Sequence, residues 1–228
     1  YNIIYCFESL EDVDGAIAYM NEFLNKDPYN EVAWHQLGRQ YLAKQMYEQA
    51  ITAFDFAVIC DDTFIGAYLE LGKALEQLGR YNEAINHYEI TLSIDDPTAF
   101  ALLRIGACHL KLKNDELGIK FLKKAIHEDP LLDKSWLTLC GHYMRNKSYA
   151  KVLHYIKKAV KIDSCHAKYW RLYAQANKAL GFFKEANLAH ERLVNLGNYE
   201  LQTWLDWAGV LLQLQDLSLI HISEPTRQ

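Results

Sequence analysis

Residues 31–63 read EVAWHQLGRQYLAKQMYEQAITAFDFAVICDDT, and the same skeleton recurs along the rest of the chain. Four residues in the first half of this stretch stand at spacings of three, one and three: Trp34, Leu37, Gly38 and Tyr41. Residues at this spacing share one face of an α-helix. The stretch therefore predicts an amphipathic helix, followed by a second helix around Phe54.

The skeleton returns every 34 residues without an insertion or a deletion. The fourth position of successive copies is aromatic or leucine: Trp34, Tyr68, Leu102, Trp136, Trp170 and Trp204. The eighth position is always small, which lets a second helix approach closely: Gly38, Gly72, Gly106, Cys140, Ala174 and Ala208. One helix pair cannot bury its own apolar faces, whereas stacked copies can. The repeats therefore predict an all-α, right-handed superhelical solenoid of antiparallel helix pairs.

The predicted repeats divide the chain at fixed intervals. Residues 1–30 form an incomplete N-terminal repeat, whose first helix is expected in about the first eight residues. Complete repeats follow at residues 31–64, 65–98, 99–132, 133–166 and 167–200. Residues 201–216 are expected to form the first helix of a truncated repeat. Residues 217–228 break the pattern and resemble translated sequencing-adapter read-through, so we expect an artefactual tail on a fragment of a longer bacterial protein.

The connections between the predicted helices also carry a pattern. Gly79 and Gly181 stand where a first helix should end, and glycine there favours a left-handed helix stop. The repeats end in acidic residues that include Asp61, Asp129 and Asp163. An acidic side chain before a helix can cap its free N–H groups. We therefore expect these aspartates to cap the first helix of the following repeat.

The composition restricts the classes of protein to which the chain can belong. Half of its 228 residues are hydrophobic and only four are proline, which suits a folded helical protein. The formal net charge of -5 argues against a generally basic nucleic-acid binder. No run of about 18 apolar residues occurs, so we expect no membrane span. We also expect the cysteines to be free thiols and the protein to be cytoplasmic.

The sequence gives no sign of an active site or a metal centre. It contains no GxSxG, no HExxH and no P-loop. The candidate metal ligands lack the spacing of a closed four-ligand zinc site; they are Cys108 and His109, Cys140 and His142, and Cys165 and His166. We therefore expect no catalytic residue, no metal and no cofactor, and we predict that the chain is not an enzyme.

The repeated residues resemble the tetratricopeptide repeat family over about residues 13–216. The copy at residues 31–64 matches the family pattern most fully, through Trp34, Leu37, Gly38, Tyr41, Ala50, Phe54 and Ala57. Pro28 and Pro130 match the closing proline of the family, whereas other repeat ends depart from it. The resemblance implies that first-helix positions two, five, nine, twelve and thirteen line a concave groove that holds a partner peptide.

Among the charged residues at those five positions of the repeats, basic residues predominate. They are Arg39, Lys73, Lys111, Lys134, Arg145, Lys168, Arg171 and Lys178, and the only acid is Glu76. One interpretation is that several of these charges are ordinary solvated residues. The functional interpretation is a groove for an acidic partner peptide, which Coulomb attraction would steer and arginine would orient.

Three functional interpretations follow from the repeats. The leading one is a protein–protein interaction scaffold that binds a partner peptide in its concave groove, with an acidic peptide as the narrower form of this hypothesis. The alternative is a recognition module of a larger enzyme or regulator, whose catalytic part lies outside these residues. RNA binding through the basic positions ranks third, and we expect no nucleic-acid partner.

Overall fold

The computed structural model describes residues 12–95 and 98–223, with side chains up to residue 215. Every regular element in these residues is an α-helix. The chain divides into two compact units, an N-terminal unit of residues 1–128 and a C-terminal unit of residues 129–228. The first helix predicted for residues 1–8 and the last five residues of the tail lie outside the described residues.

The described helices are grouped in pairs within each unit. The N-terminal unit contains α1 (Val13–Lys26), α2 (Glu31–Ala43), α3 (Tyr47–Cys60), α4 (Ile65–Gln77), α5 (Tyr81–Ile94), α6 (Ala99–Lys111) and α7 (Asp115–Glu128). The C-terminal unit contains α8 (Asp133–Arg145), α9 (Tyr149–Ile162), α10 (Ala167–Ala179), α11 (Phe183–Asn195) and α12 (Leu201–Ser223). First helices thus begin 34 residues apart, and the predicted all-α array of helix pairs is confirmed.

Small residues at the eighth repeat position let the two helices of a pair touch. A Cβ atom on Gly38 would lie 2.5 Å from the Phe54 ring, and one on Gly72 would lie 2.5 Å from the Tyr88 ring. Both rings are fully buried and belong to the core of the N-terminal unit. Any larger side chain at these glycines would push the second helix of the pair away from the first.

Tryptophan at the fourth repeat position joins a first helix to the turn before it. The indole Nε1 of Trp34 donates to the carbonyl of Pro28 at 2.9 Å. Trp136 donates in the same way to Pro130 at 2.9 Å, and Trp170 donates to the carbonyl of Ser164 at 2.7 Å. These tryptophans are therefore packing residues whose polar atom is satisfied within the repeat.

The turn inside each helix pair has a left-handed residue at the fifteenth repeat position. Gly79 and Gly181 have φ angles of 74° and 77°, so both predicted helix stops are confirmed. Gln45, Lys113 and Lys147 adopt the same conformation with φ angles of 59°, 63° and 52°. Side chains with a Cβ atom rarely adopt this conformation, so the repeat architecture enforces it at these three turns.

The predicted helix-capping role of the boundary aspartates is wrong for Asp61, Asp129 and Asp163. Each Oδ1 instead accepts a hydrogen bond from the backbone N–H two residues later: Thr63 at 2.9 Å, Leu131 at 2.8 Å and Cys165 at 2.9 Å. Each aspartate stands three residues before the true N-cap, so its short side chain reaches only the turn. These aspartates fold the connection between helix pairs.

The last described helix is longer than the sequence pattern predicts. We expected the first helix of the truncated repeat to end at about residue 216, whereas α12 continues to Ser223. No glycine or proline occurs between Leu217 and Ser223, and Pro225 is the first helix breaker. The helical pattern therefore continues until a residue appears that can stop it.

Candidate functional site

The three candidate residues of the N-terminal unit have different surroundings. Arg39 on α2 and Lys111 on α6 are exposed. Lys73 on α4 is half-buried, and its Nζ lies 2.6 Å from Oε1 of Glu70. The same Nζ lies 5.3 Å from the centre of the Phe100 ring. The charge of Lys73 is therefore already paired within the unit, and this pairing was not predicted from the sequence.

The charges of two of these basic side chains, Arg39 and Lys73, act on His35. Its ring centre is 4.9 Å from that of Phe64, and its Nε2 has no hydrogen-bond partner among the described residues. Burial lowers the pKa of His35, and the positive charges of Arg39 and Lys73 act in the same direction. His35 therefore contributes a neutral, half-buried ring to the first-helix surface at neutral pH.

Glu76, the one acid expected in the groove, belongs to a partly buried network. Its Oε1 accepts hydrogen bonds from Nε of Arg104 at 2.8 Å and from the hydroxyl of Tyr88 at 2.7 Å. Burial raises the pKa of Tyr88, and the negative charge of Glu76 raises it further. Since Lys73 pairs with Glu70 as well, the first-helix surface of the N-terminal unit is close to charge balance.

The five candidate residues of the C-terminal unit lie on two neighbouring helices. Lys134 and Arg145 are on α8, and α8 contacts α10. Lys168, Arg171 and Lys178 are on α10. The structure thus brings these five residues onto adjacent first helices of one unit. They form the candidate surface, which we call the α8/α10 surface.

Most of the α8/α10 surface is free of acidic neighbours. Lys134, Arg145 and Lys168 are exposed, and none has an ion pair with another described residue. Arg171 is the exception, because its guanidinium donates to Oε2 of Glu200 at 2.6 Å. Glu200 stands at the last position of a repeat, outside the first-helix positions considered in the sequence, so its contact was missed.

Lys178 lies at the edge of the same surface, beside α12. Its Nζ is 3.3 Å from the place that a Cβ atom on Gly209 would occupy, so the glycine makes room for the lysine. Burial lowers the pKa of the neighbouring His190, and the charge of Lys178 lowers it while Asp206 raises it. Lys178 therefore places its charge between α10 and α12.

The acidic residues near this surface are few and already engaged. Residues 134–184 contain 11 Lys and Arg and a single acid, Asp163. Asp163 accepts the backbone N–H of Cys165, and Asp133 lies 3.2 Å from Nε2 of His166. The surrounding potential is therefore positive, although the whole chain has a net charge of -5.

A cavity of about 440 Å³ opens between α10 and α11 of the C-terminal unit. It is lined by Trp170, Tyr173, Glu185, Leu188, Glu191, Arg192 and Asn195. None of the eight candidate residues lines it. The cavity and the α8/α10 surface are therefore two separate features of the unit.

The described residues show little reactive chemistry. They contain no group of three or more His, Cys, Asp or Glu side chains that could hold a metal ion. Burial raises the pKa of Cys108 and of Cys140 to about 12, so both remain protonated thiols at neutral pH. No helix in the described part of the chain is both long and apolar enough to span a bilayer.

Comparisons with known proteins bear on the fold and the repeats. Residues 69–132 match a family model described as tetratricopeptide repeat. These residues consist of tetratricopeptide repeats. This confirms the resemblance on which the sequence interpretation rested. No curated protein matches this chain.

Three solved structures illustrate the similarity of fold. The crystal structure of MamA has a TM-score of 0.67 at 24% identity and covers 74% of this chain and 99% of its own. PilW, described as a widely conserved type IV pilus biogenesis factor, has a TM-score of 0.71 at 21% identity, over 92% of this chain and 96% of its own. YrrB, described as a TPR protein with an unusual peptide-binding site, has a TM-score of 0.59 at 13% identity, over 81% and 95%. At these identities the likeness is one of fold.

Proposed function

We propose that the repeat protein is a protein-interaction scaffold and that its α8/α10 surface binds an acidic segment of a partner. The observation that carries the proposal is the group of five basic residues on two adjacent first helices, of which only Arg171 pairs with an acid. The fold supports it, because YrrB, which shares the fold, is described as having a peptide-binding site.

The side chains of this surface suit an acidic peptide with apolar residues. Arg145 can meet a carboxylate with two parallel hydrogen bonds, which fixes orientation. Lys134 and Lys168 add point charges on flexible stems that adapt to the ligand. Leu137 and Met144 are half-buried on the same helix as Arg145 and offer apolar contact area. The surface can therefore combine charge recognition with hydrophobic burial.

The expected strength of this recognition is modest. An exposed ion pair contributes roughly 0.2–1 kcal/mol, so four pairs contribute about 2 kcal/mol together. Arg171 contributes less than the others, because a ligand must displace Glu200 from it. Exposed charges are screened over about 8 Å at physiological ionic strength, so binding should weaken steadily as salt is added.

Charge reversal tests the proposal. The test variant carries Lys134→Glu, Arg145→Glu, Lys168→Glu and Arg171→Glu, and the probe is a fluorescein-labelled peptide of alternating Glu and Leu. Fluorescence anisotropy should show affinity at least about tenfold weaker than that of the wild type, together with a smaller salt dependence. The charge-matched control carries Lys113→Glu, Lys120→Glu, Lys123→Glu and Lys124→Glu in the N-terminal unit and should keep most of the affinity.

Two results would contradict the proposal. One is an affinity of the test variant equal to that of the wild type. The other is an equal loss of affinity in the control variant, because this would show that only the net charge of the protein matters. Preferential binding of a single-stranded RNA probe by the wild type would favour the nucleic-acid interpretation instead.

A further inference from the structure

Helix α9 of the C-terminal unit carries a second basic surface that the sequence interpretation did not consider. Its exposed residues include Lys151, His154, Lys157, Lys158 and Lys161. The helix contains no Asp or Glu. None of the four lysines forms an ion pair with another described residue. We call these five residues the α9 surface.

The spacing of these residues places them along one side of the helix. Residues 151, 154, 158 and 161 are separated by three, four and three positions, which is the period of a single helix face. A helix of 14 residues is about 21 Å long at about 1.5 Å per residue. The α9 surface therefore presents four lysines along one side of the helix.

The elements that pack against α9 do not cancel this charge. The only acid of α8 is Asp133, which lies beside His166, and α10 has no acid. Asp163, directly after α9, is held by the backbone of Cys165. The corresponding helix of the preceding repeat differs, because α7 mixes Lys120, Lys123 and Lys124 with Asp115, Glu116 and Glu128.

The distribution of charge along the chain makes this surface stand out. Residues 129–228 carry 13 Lys and Arg against nine Asp and Glu, a formal net charge of +4. Residues 1–128 carry 11 against 20, a formal net charge of -9. A negatively charged partner would therefore be attracted to the C-terminal unit. The α9 surface holds a concentrated part of the positive charge of that unit.

The chemistry of the α9 surface favours a membrane over a nucleic acid. The basic side chains of α9 are four lysines and a histidine without arginine, so no planar fork is present for bidentate recognition of one phosphate. The neighbouring rings are occupied, since Nζ of Lys151 lies 5.4 Å from the Tyr143 ring centre and Nζ of Lys158 lies 5.9 Å from that of Tyr155. Covered rings do not offer faces for stacking on bases.

We propose that the α9 surface binds the headgroups of a bilayer rich in anionic lipids. Compact ammonium groups spread along an exposed helix fit a diffuse negative surface, and they need no defined groove. Each lysine near such a surface strengthens binding about fivefold, and the attraction is lost beyond a Debye length. The attachment is peripheral, and this proposal is independent of the peptide site on α8 and α10.

The test uses the full 228-residue chain and vesicles that are sedimented by centrifugation. Vesicles of phosphatidylcholine with about 30% phosphatidylserine are compared with vesicles of phosphatidylcholine alone, at low and at physiological salt. The test variant is Lys157→Glu with Lys158→Glu. The matched control is Lys123→Glu with Lys124→Glu, because these residues hold the same two repeat positions on α7. Lys124 also lies over a ring, 5.6 Å from the centre of Phe121, so both variants lose one lysine–ring contact.

The wild type should sediment with the phosphatidylserine vesicles and not with the neutral ones. The Lys157→Glu, Lys158→Glu variant should lose at least about tenfold in partition, while the α7 control keeps most of it. The proposal is overturned if the wild type does not sediment with anionic vesicles or if both variants lose binding equally. Binding of single-stranded RNA through α9 without binding of vesicles would also overturn it. At physiological salt, where charges more than about 8 Å away are screened, the quadruple α8/α10 variant should still bind vesicles, so this proposal and the proposed function can fail separately.

Discussion

Arg104 donates from Nε to Oε1 of Glu76 at 2.8 Å and thereby ties α6 to α4 in the N-terminal unit. The hydroxyl of Tyr88 donates to the same oxygen at 2.7 Å. The acid that the sequence places in the groove is thus held within the unit by a cation and a phenol. Its side chain retains only 13% exposure, so it is a structural group more than a contact for a ligand.

Replacement of Arg104 should be costly for this reason. Arg104→Met leaves a largely buried carboxylate without its cation, and we expect the free energy of unfolding to fall by about 3 kcal/mol. Urea denaturation followed by circular dichroism measures the change. The exposed Lys111, on the same helix, provides the control, because Lys111→Met should alter stability by no more than about 0.5 kcal/mol. Equal effects of the two substitutions would show that the network does not stabilise the fold.

Glycine should stabilise the turns that now hold a strained residue. Gln45 has a φ of 59°, a conformation that costs an L-residue roughly 1–2 kcal/mol, while glycine adopts it freely. Glycine also loses more conformational entropy on folding than glutamine, which offsets part of the relieved strain. Gln45→Gly should therefore raise the free energy of unfolding by about 1 kcal/mol. The control Gln49→Gly, in the exposed first turn of α3, should lower it by up to about 1 kcal/mol. A loss of stability in Gln45→Gly would refute this account of the turn.

The turns illustrate what the sequence could predict. Glycine at positions 79 and 181 predicts a left-handed residue in the turn. The 34-residue period predicts the same conformation at the equivalent residues Gln45, Lys113 and Lys147. Helix starts followed from the spacing of residues such as Trp34 and Leu37, because packing requires that spacing. These features are local or periodic, so a single sequence contains them.

The charges of the site were harder to predict, because an ion pair depends on side-chain directions. Lys73 and Glu70 are three residues apart on one helix, and that spacing could have revealed their contact. Arg171 and Glu200 are separated by 29 residues and meet only through the stacking of repeats. The eight candidate residues lie on first helices, but the sequence did not show which of their charges were already paired.

Trp136 should be much more important for stability than Trp204. Trp136 is 4% exposed, and its Nε1 donates to Pro130, whereas Trp204 is 42% exposed. Trp136→Ala should lower the free energy of unfolding by about 3–5 kcal/mol because it opens a cavity in the core. Trp204→Ala should cost about 1 kcal/mol or less. Thermal unfolding of both variants gives the comparison, and similar costs would contradict the packing role assigned to Trp136.

Stability should fall as the pH decreases below neutrality. Burial lowers the pKa of His35, His87 and His190 in the folded protein below the value of about 6.5 that holds in the unfolded chain. The unfolded state therefore takes up protons first, so the contribution of these histidines is present above about pH 6.5 and is lost as the pH falls from there through the lower pKa of the folded state. Unfolding free energies at about pH 8 and about pH 5.5 should show this fall.

A variant identifies the part of this pH dependence that belongs to His35. His35→Asn cannot take up a proton in either state, so the difference in stability between the two pH values should become smaller. Measuring the variant at both pH values separates this effect from any cost that the substitution has at all pH values. An unchanged difference would show that His35 does not titrate differently in the folded and unfolded states.

The central claim is that charge on α8 and α10 selects an acidic peptide, and an exchange of charge between protein and peptide tests it most directly. Anisotropy titrations compare the alternating Glu and Leu peptide with an alternating Lys and Leu peptide on two proteins: the wild type and the variant with Lys134, Arg145, Lys168 and Arg171 all changed to Glu. We expect the wild type to prefer the acidic peptide by at least about tenfold and the variant to prefer the basic one. Equal affinities of the wild type for the two peptides, or the same preference in both proteins, would contradict the claim.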